Sequence, residues 1–137
     1  MTVALDQKAL VGSFEEDASG EAGIFTWDIE RNLLFADRAV ALLFGLDYDR
    51  TIRGLPLEAY MARVHPSDRS GLAKVISETI MADIPQRDTY RVKGADSRYR
   101  MVAAFGKAFC DANDLAVLYS GIVIPLAGAE VQVLSKH

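Results

Sequence analysis

His65 and Asp68 lie three positions apart in Val64-His65-Pro66-Ser67-Asp68-Arg69, and their side chains are the first to weigh for chemistry. An imidazole can ligate a metal or a haem iron, and an imidazole beside a carboxylate can move a proton. The same six residues also spell the start of a helix. Proline is best tolerated at the first helical position, which makes His65 the N-cap, and Asp68 falls in the first turn, where its charge favours the helix dipole. The capping role is the simpler one, since no Ser-His-Asp or Cys-His pairing is supported by neighbouring residues.

The remaining reactive residue types give less. Cys110 is the one cysteine, so neither an intrachain disulfide nor a cysteine-based metal cluster can form, which suits a reducing compartment. No second thiol resolves an oxidised Cys110 within the chain, and an inert thiol is expected. Asp28, Asp68 and Asp96 could suggest paired carboxylates for acid-base work, but each has a cheaper role as strand exterior, helix first turn and turn former. The glycines are isolated, so no phosphate-cradling loop is present. His137 stands in a tail. These residues predict a domain without catalytic activity, metal or cofactor.

The elements that must position these residues follow from hydrophobic periodicity. The chain has 137 residues, 50% of them hydrophobic and 25% charged, a composition that fits one globular domain. The net charge of -4 argues against nucleic acid as a partner. No apolar run reaches membrane-spanning length, and Asp6 and Lys8 interrupt any signal-peptide core, so the expectation is a cytoplasmic domain away from the membrane. Val3, Leu5, Ala9, Leu10 and Val11 make the stripe of a short amphipathic helix, whose partner is the domain's own sheet or a second chain. The acidic stretch from Glu15 to Gly23 reads as a linker.

A strand is expected over Gly23–Ile29 and a second over Leu33–Ala36, joined as a hairpin through Glu30-Arg31-Asn32. Asp37 then caps a helix over Arg38–Phe44, with Ala39, Leu42 and Leu43 on one face and Gly45 ending it. Asp47 to Gly54 reads as a polar loop, and Leu57–Val64 as a short helix. The helix from Pro66 runs to about Ala82, with Leu72, Val75, Ile76, Thr79 and Ile80 as its stripe, and Pro85 prevents its continuation. Thr89–Lys93, Arg98–Phe109 and Leu115–Leu126 complete a five-stranded antiparallel sheet with helices on one face. The fold class is therefore α+β, divided as residues 1–22 (helix and linker), 23–127 (domain) and 128–137 (tail).

Several of these words resemble a PAS domain of the bacterial subtype found in sensor histidine kinases and cyclic-dinucleotide enzymes. Gly23-Ile24-Phe25-Thr26-Trp27-Asp28-Ile29 resembles the family's opening strand and Leu43-Phe44-Gly45-Leu46 its "LLGY" helix end. Val64-His65-Pro66-Ser67-Asp68-Arg69 is similar to its "VHPDDR", Tyr90-Arg91-Val92 to "YRV", and Asp96-Ser97-Arg98-Tyr99-Arg100-Met101-Val102 to "DGRYRWV". Gly106 and Gly121 fall at its later glycines. Ser97 and Asp114 replace turn glycines, Met101 replaces a tryptophan, and Pro125-Leu126-Ala127 replaces the closing Asp-Ile-Thr.

The resemblance implies a sensory or interaction module of a bacterial signalling protein, regulating a histidine kinase or similar output. Haem-binding members carry their iron ligand within the helix body, and Ser70 to Met81 contains no histidine. The light-sensing branch's Asn-Cys-Arg-Phe word is absent. A core pocket remains, either filled by side chains or open to a small-molecule ligand. Strand parity places Phe25, Trp27 and Ile29, Tyr90 and Val92, and Met101, Ala103 and Phe105 inward. Trp27, Tyr90, Met101, Ala103 and Phe105 are the candidate lining, because Ala103 is small and Met101 can repack. Val3, Leu5, Leu10 and Val11 are the expected contacts of a homodimer, and an effector domain or partner protein reads its state. A ligand-free dimerisation adaptor is the alternative.

Overall fold

The computed structural model describes residues 21–126. The expected N-terminal helix with its stripe Val3, Leu5, Leu10 and Val11, and the tail 128–137, lie outside the described residues. The first strand, β1 (Gly23–Asp28), pairs with β2 (Leu33–Ala36) across a turn in which Asn32 takes a positive φ of 52°. Four helices follow: α1 (Arg38–Phe44), α2 (Tyr48–Arg53), α3 (Leu57–Met61) and α4 (Pro66–Ala82). The chain closes with β3 (Gln86–Lys93), β4 (Tyr99–Cys110) and β5 (Ala116–Pro125). The sheet order is β2-β1-β5-β4-β3 with antiparallel neighbours throughout. β5 thus lies at the centre between β1 and β4, and the pairing of the last strand with the first ties the ends of the domain together.

Several helix ends have a local cause. Asp37 accepts from the Val40 amide at 3.0 Å and from the Ile24 amide at 3.1 Å, so it caps α1 and ties that helix to β1. Gly45 ends α1 in the left-handed region, at φ 62°. His65 caps α4 as expected, its Nδ1 accepting from the Ser67 amide at 3.1 Å. Ser97 and Asp114 turn their hairpins at φ 66° and 60° without a glycine; Asp tolerates this region better than Ser.

Three expectations are corrected. Asp47 to Gly54 is not a loop: Asp47 accepts from the Arg50 amide at 3.0 Å and starts α2. Only Thr51 of that six-residue helix is buried, too few positions for a periodic signal. Leu42 is 67% exposed, whereas Val40, Leu43 and Phe44 enter the core. β3 begins at Gln86 instead of Thr89 because Gln86, although polar, is buried in a side-chain hydrogen bond to Tyr119.

The helices cover one face of the sheet. Val40, Leu43 and Phe44 of α1, Tyr60 of α3 and Leu72 of α4 pack with Tyr90, Val92, Val102, Ala104 and Val123 from the strands. We call this the inner face.

Candidate functional site

An apolar cavity of about 50 Å³ sits between the inner face and the helices. Phe25 and Trp27 reach it from β1, Tyr90 from β3 and Tyr119 from β5, while Phe44, Tyr60 and Leu72 close it from the helices. None of its lining residues is charged, so an ionised ligand would lack the partner that makes burying a charge tolerable. The size is enough for a few water molecules, against the ~150 Å³ of a cavity that takes up benzene. As it stands, it admits only a small neutral molecule.

One end of the cavity is polar. The Tyr119 hydroxyl donates to Gln86 Oε1 at 2.8 Å, and Gln86 Nε2 donates to Asp88 Oδ1 at 3.2 Å. Burial pushes the Tyr119 phenol up to about 12 and raises Tyr90 further, and it also raises the Asp88 carboxyl. Gly106 makes this arrangement possible, since a Cβ there would stand 2.7 Å from the Tyr119 ring and 2.8 Å from Gln86 Oε1. The rings of Phe25 and Tyr119 stack with centroids 6.1 Å apart. Trp27 is held at the rim, its Nε1 donating to Asn32 Oδ1 at 3.0 Å.

The structure brings together Trp27 and Tyr90 among the residues expected to line a pocket, and places Met101, Ala103 and Phe105 elsewhere. Tyr90 pairs with Val102, and Ala104 with Val123, so the even-numbered residues of β4 face the helices. Met101, Ala103 and Phe105 belong to the opposite face. The run Met101 to Phe105 is apolar in both parities, so alternation carries no information about which side is inward. A usable signal lay further along the strand. Ala104, Gly106 and Ala108 are small in one parity, as packing under large rings requires, and Gly106 and Ala108 lie beside Tyr119 in the register and by contact. Gln86, Tyr119 and Tyr60 were missed because their partners are distant in sequence.

Val64 to Arg69 lies at the edge of the sheet and acts as a clasp. His65 N donates to Arg91 O at 2.8 Å, and Val64 bridges Val92. Asp68 accepts from the Arg91 amide and, in two bonds, from its guanidinium, all at 2.9 Å. The Arg91 hydrogen bonds hold the Asp68 carboxyl below the usual range. Arg69 donates to the carbonyls of Val64 and Ala62, at 3.0 and 3.1 Å. An exposed β3 edge would offer unpaired backbone groups to another strand; here part of it is closed. The His65 ring packs on Tyr99 with centroids 4.8 Å apart and is not part of the cavity lining. Cys110 is exposed at the end of β4. Among the described residues, no group of three or more His, Cys, Asp or Glu is arranged to hold a metal ion.

This sheet, with its helices on one face and a small core between, defines an α+β domain with a five-stranded antiparallel sheet. The family model described as the PAS fold matches residues 33–123, and the chain belongs to that family. Among solved structures, a sensory box histidine kinase/response regulator from Burkholderia thailandensis is similar with a TM-score of 0.67. It is 16% identical, over 88% of this chain and 86% of that one. The N-terminal domain of a diguanylate cyclase with a PAS/PAC sensor, from Marinobacter aquaeolei, has a TM-score of 0.68 at 13% identity, over 77% and 94%. A PAS domain from Colwellia psychrerythraea has 0.62 at 14%, over 92% and 98%. At these identities the likeness is one of fold. No curated protein matches the chain in sequence.

Proposed function

We propose that this PAS domain is the input module of a bacterial signalling protein, regulating a histidine kinase or similar output and having no catalysis of its own. The observation that carries the reading is the neutral apolar cavity with Gln86 and Tyr119 at one end. Occupancy of that cavity repacks Tyr119 and Phe25, which lie on the adjacent central strands β5 and β1. Since β1 follows directly on the N-terminal segment, a change in its packing is passed to that segment and biases a two-state assembly. Self-association is assigned to Val3, Leu5, Leu10 and Val11, and the expected location is cytoplasmic. No helix among the described residues is long and apolar enough to cross a membrane.

Native mass spectrometry of the purified protein, with thermal shifts across a panel of small neutral metabolites, tests the ligand reading. A bound ligand raises the midpoint by mass action. No adduct and no shift with any compound would favour the second reading, a ligand-free dimerisation adaptor, which the small volume of the cavity supports.

A further inference from the structure

Two tyrosines that line the cavity differ in what their hydroxyls have left to offer. Tyr90 is 6% exposed, and its hydroxyl has no hydrogen-bond partner among the described residues. A buried hydroxyl left unpaired is costly, so a polar occupant is what such a site lacks. Tyr119 is 2% exposed and has already committed its proton, which goes to Gln86 Oε1 at 2.8 Å. Its oxygen keeps a lone pair and has no hydrogen to give.

A charge on β3 sets that direction. Asp88 stands between Gln86 and Tyr90 on the inward-facing positions of the strand, opposite Ala104 in the register. While ionised, its carboxylate can only accept. It accepts from Gln86 Nε2 at 3.2 Å, and this decides which way round the amide lies. The amide oxygen is thereby turned to Tyr119, which must donate. The other polar groups near the cavity are engaged elsewhere. Trp27 Nε1 donates to Asn32 Oδ1 and the Tyr60 hydroxyl to Leu34 O, both at 3.0 Å. The Thr79 hydroxyl of α4 approaches the Tyr119 phenol but gives its own proton to Val75 O at 3.1 Å.

We infer that the cavity takes a small neutral alcohol, whose hydroxyl donates to the Tyr119 oxygen and accepts from the Tyr90 hydroxyl, with the Asp88 carboxylate setting this polarity through Gln86. This rests on the ligand reading above and names the chemical class that the cavity selects. Ethers, ketones and nitriles accept only; they can pair Tyr90 but leave the Tyr119 lone pair unmet. At about 50 Å³, against the ~150 Å³ that holds the six carbons of benzene, the cavity suits an alcohol of about two or three non-hydrogen atoms.

Nuclear magnetic resonance titration of the full chain at neutral pH, with ethanol, acetonitrile and xenon, tests it. Ethanol and acetonitrile have three non-hydrogen atoms each and differ in the donor; xenon has no polar group and reports whether the cavity admits a guest at all. The wild type is expected to bind ethanol about fivefold more tightly than acetonitrile, the effect of one hydrogen bond. Tyr119→Phe should lower ethanol to the level of acetonitrile and leave xenon unchanged, whereas Tyr90→Phe should weaken ethanol and acetonitrile alike. Asp88→Asn, whose amide can donate or accept, frees Gln86 to turn and should narrow the difference between the two. Tyr119→Phe and Asp88→Asn carry the test if Tyr90→Phe does not fold. Xenon uptake with equal binding of ethanol and acetonitrile, or with acetonitrile preferred, overturns the alcohol and leaves the ligand reading standing. An unchanged preference in Asp88→Asn overturns the part assigned to that carboxylate. No uptake of any of the three overturns both the alcohol and the ligand reading.

Discussion

Val92, Val102 and Ala104 on the inner face of the sheet are 0 to 1% exposed, while Ile24, Ile122 and Leu118 on the outer face retain 38 to 60% of their accessible surface. The side chains are all apolar and can be adjacent in sequence, as the buried Ala104 and the exposed Phe105 are, although Met101 and Ala103 on the outer side are also buried. What separates the faces is the layer of helices, with Phe44, Tyr60 and Leu72 set against one side. The inner face therefore holds the helix-covered core and the cavity, whereas the outer face keeps Ile24, Ile122 and Leu118 exposed. Val64 to Arg69 works at the β3 edge, where Val64 turns into the core and lines the cavity while His65 and Asp68 bond to Arg91.

Introducing a charge should separate the faces most sharply. Val102→Asp buries a carboxylate with no partner, at a cost of several kcal/mol against a total stability of ~5–15 kcal/mol. The cooperative transition in urea should disappear; a normal transition would mean that β4 is turned the other way. Alkaline pH should come next. The Tyr119 and Tyr60 phenols are raised to about 12 by burial, and Tyr90 is raised as well. A phenol raised in the folded state leaves stability intact below the unfolded value near 10 and removes it progressively as pH climbs toward 12. Denaturation midpoints measured from pH 9 to 11.5 should fall steadily; a flat profile would place these rings in water.

Smaller effects resolve the inner face and the edge. Tyr119→Phe deletes the donor to Gln86 Oε1 and leaves a buried acceptor unpaired, at about 1–3 kcal/mol by urea titration. Asp68→Ala should cost about 1–2 kcal/mol at neutral pH, since it removes hydrogen bonds to the Arg91 backbone amide and guanidinium in a partly buried pair. The Asp68 carboxyl is held low in the folded state, so its contribution is present above about pH 4 and lost as pH falls below. Wild type and Asp68→Ala should accordingly converge in acid, and a constant gap between them would remove the ion pair from the account. Ile24→Ser should change stability by about 0.5 kcal/mol or less, as expected at an exposed site. A loss comparable to that of an inner-face residue would mean that the outer face is covered, within one copy or by a second.

Much of the framework was legible because its signals are local. Asp37, Gly45, His65 with Pro66, and the turns at Ser97 and Asp114 depend on backbone geometry within a few residues, and each stands where the chain chemistry put it. Trp27 and Tyr90 were also legible as pocket residues, since their strands alternate clearly between apolar and polar. Met101, Ala103 and Phe105 were not, because β4 has no polar residue from Met101 to Phe105 to mark the solvent side. Gln86 was not, because a glutamine is read as exposed until its hydrogen-bond partner, 33 positions away, is brought beside it.

By itself the sequence determined the order of the strands and of every helix but α2, the caps at Asp37 and Gly45, the α+β class and the helix-starting role of His65, all of which follow from propensities, caps and periodicity over short windows. Only the tertiary structure decided which face of β4 lies under the helices, that Asp68 clasps Arg91, and that Tyr119 and Gln86 close one end of the cavity. These depend on strand register and on helices laid across the sheet. A one-residue change of register turns every side chain over while leaving the local sequence preferences unaltered.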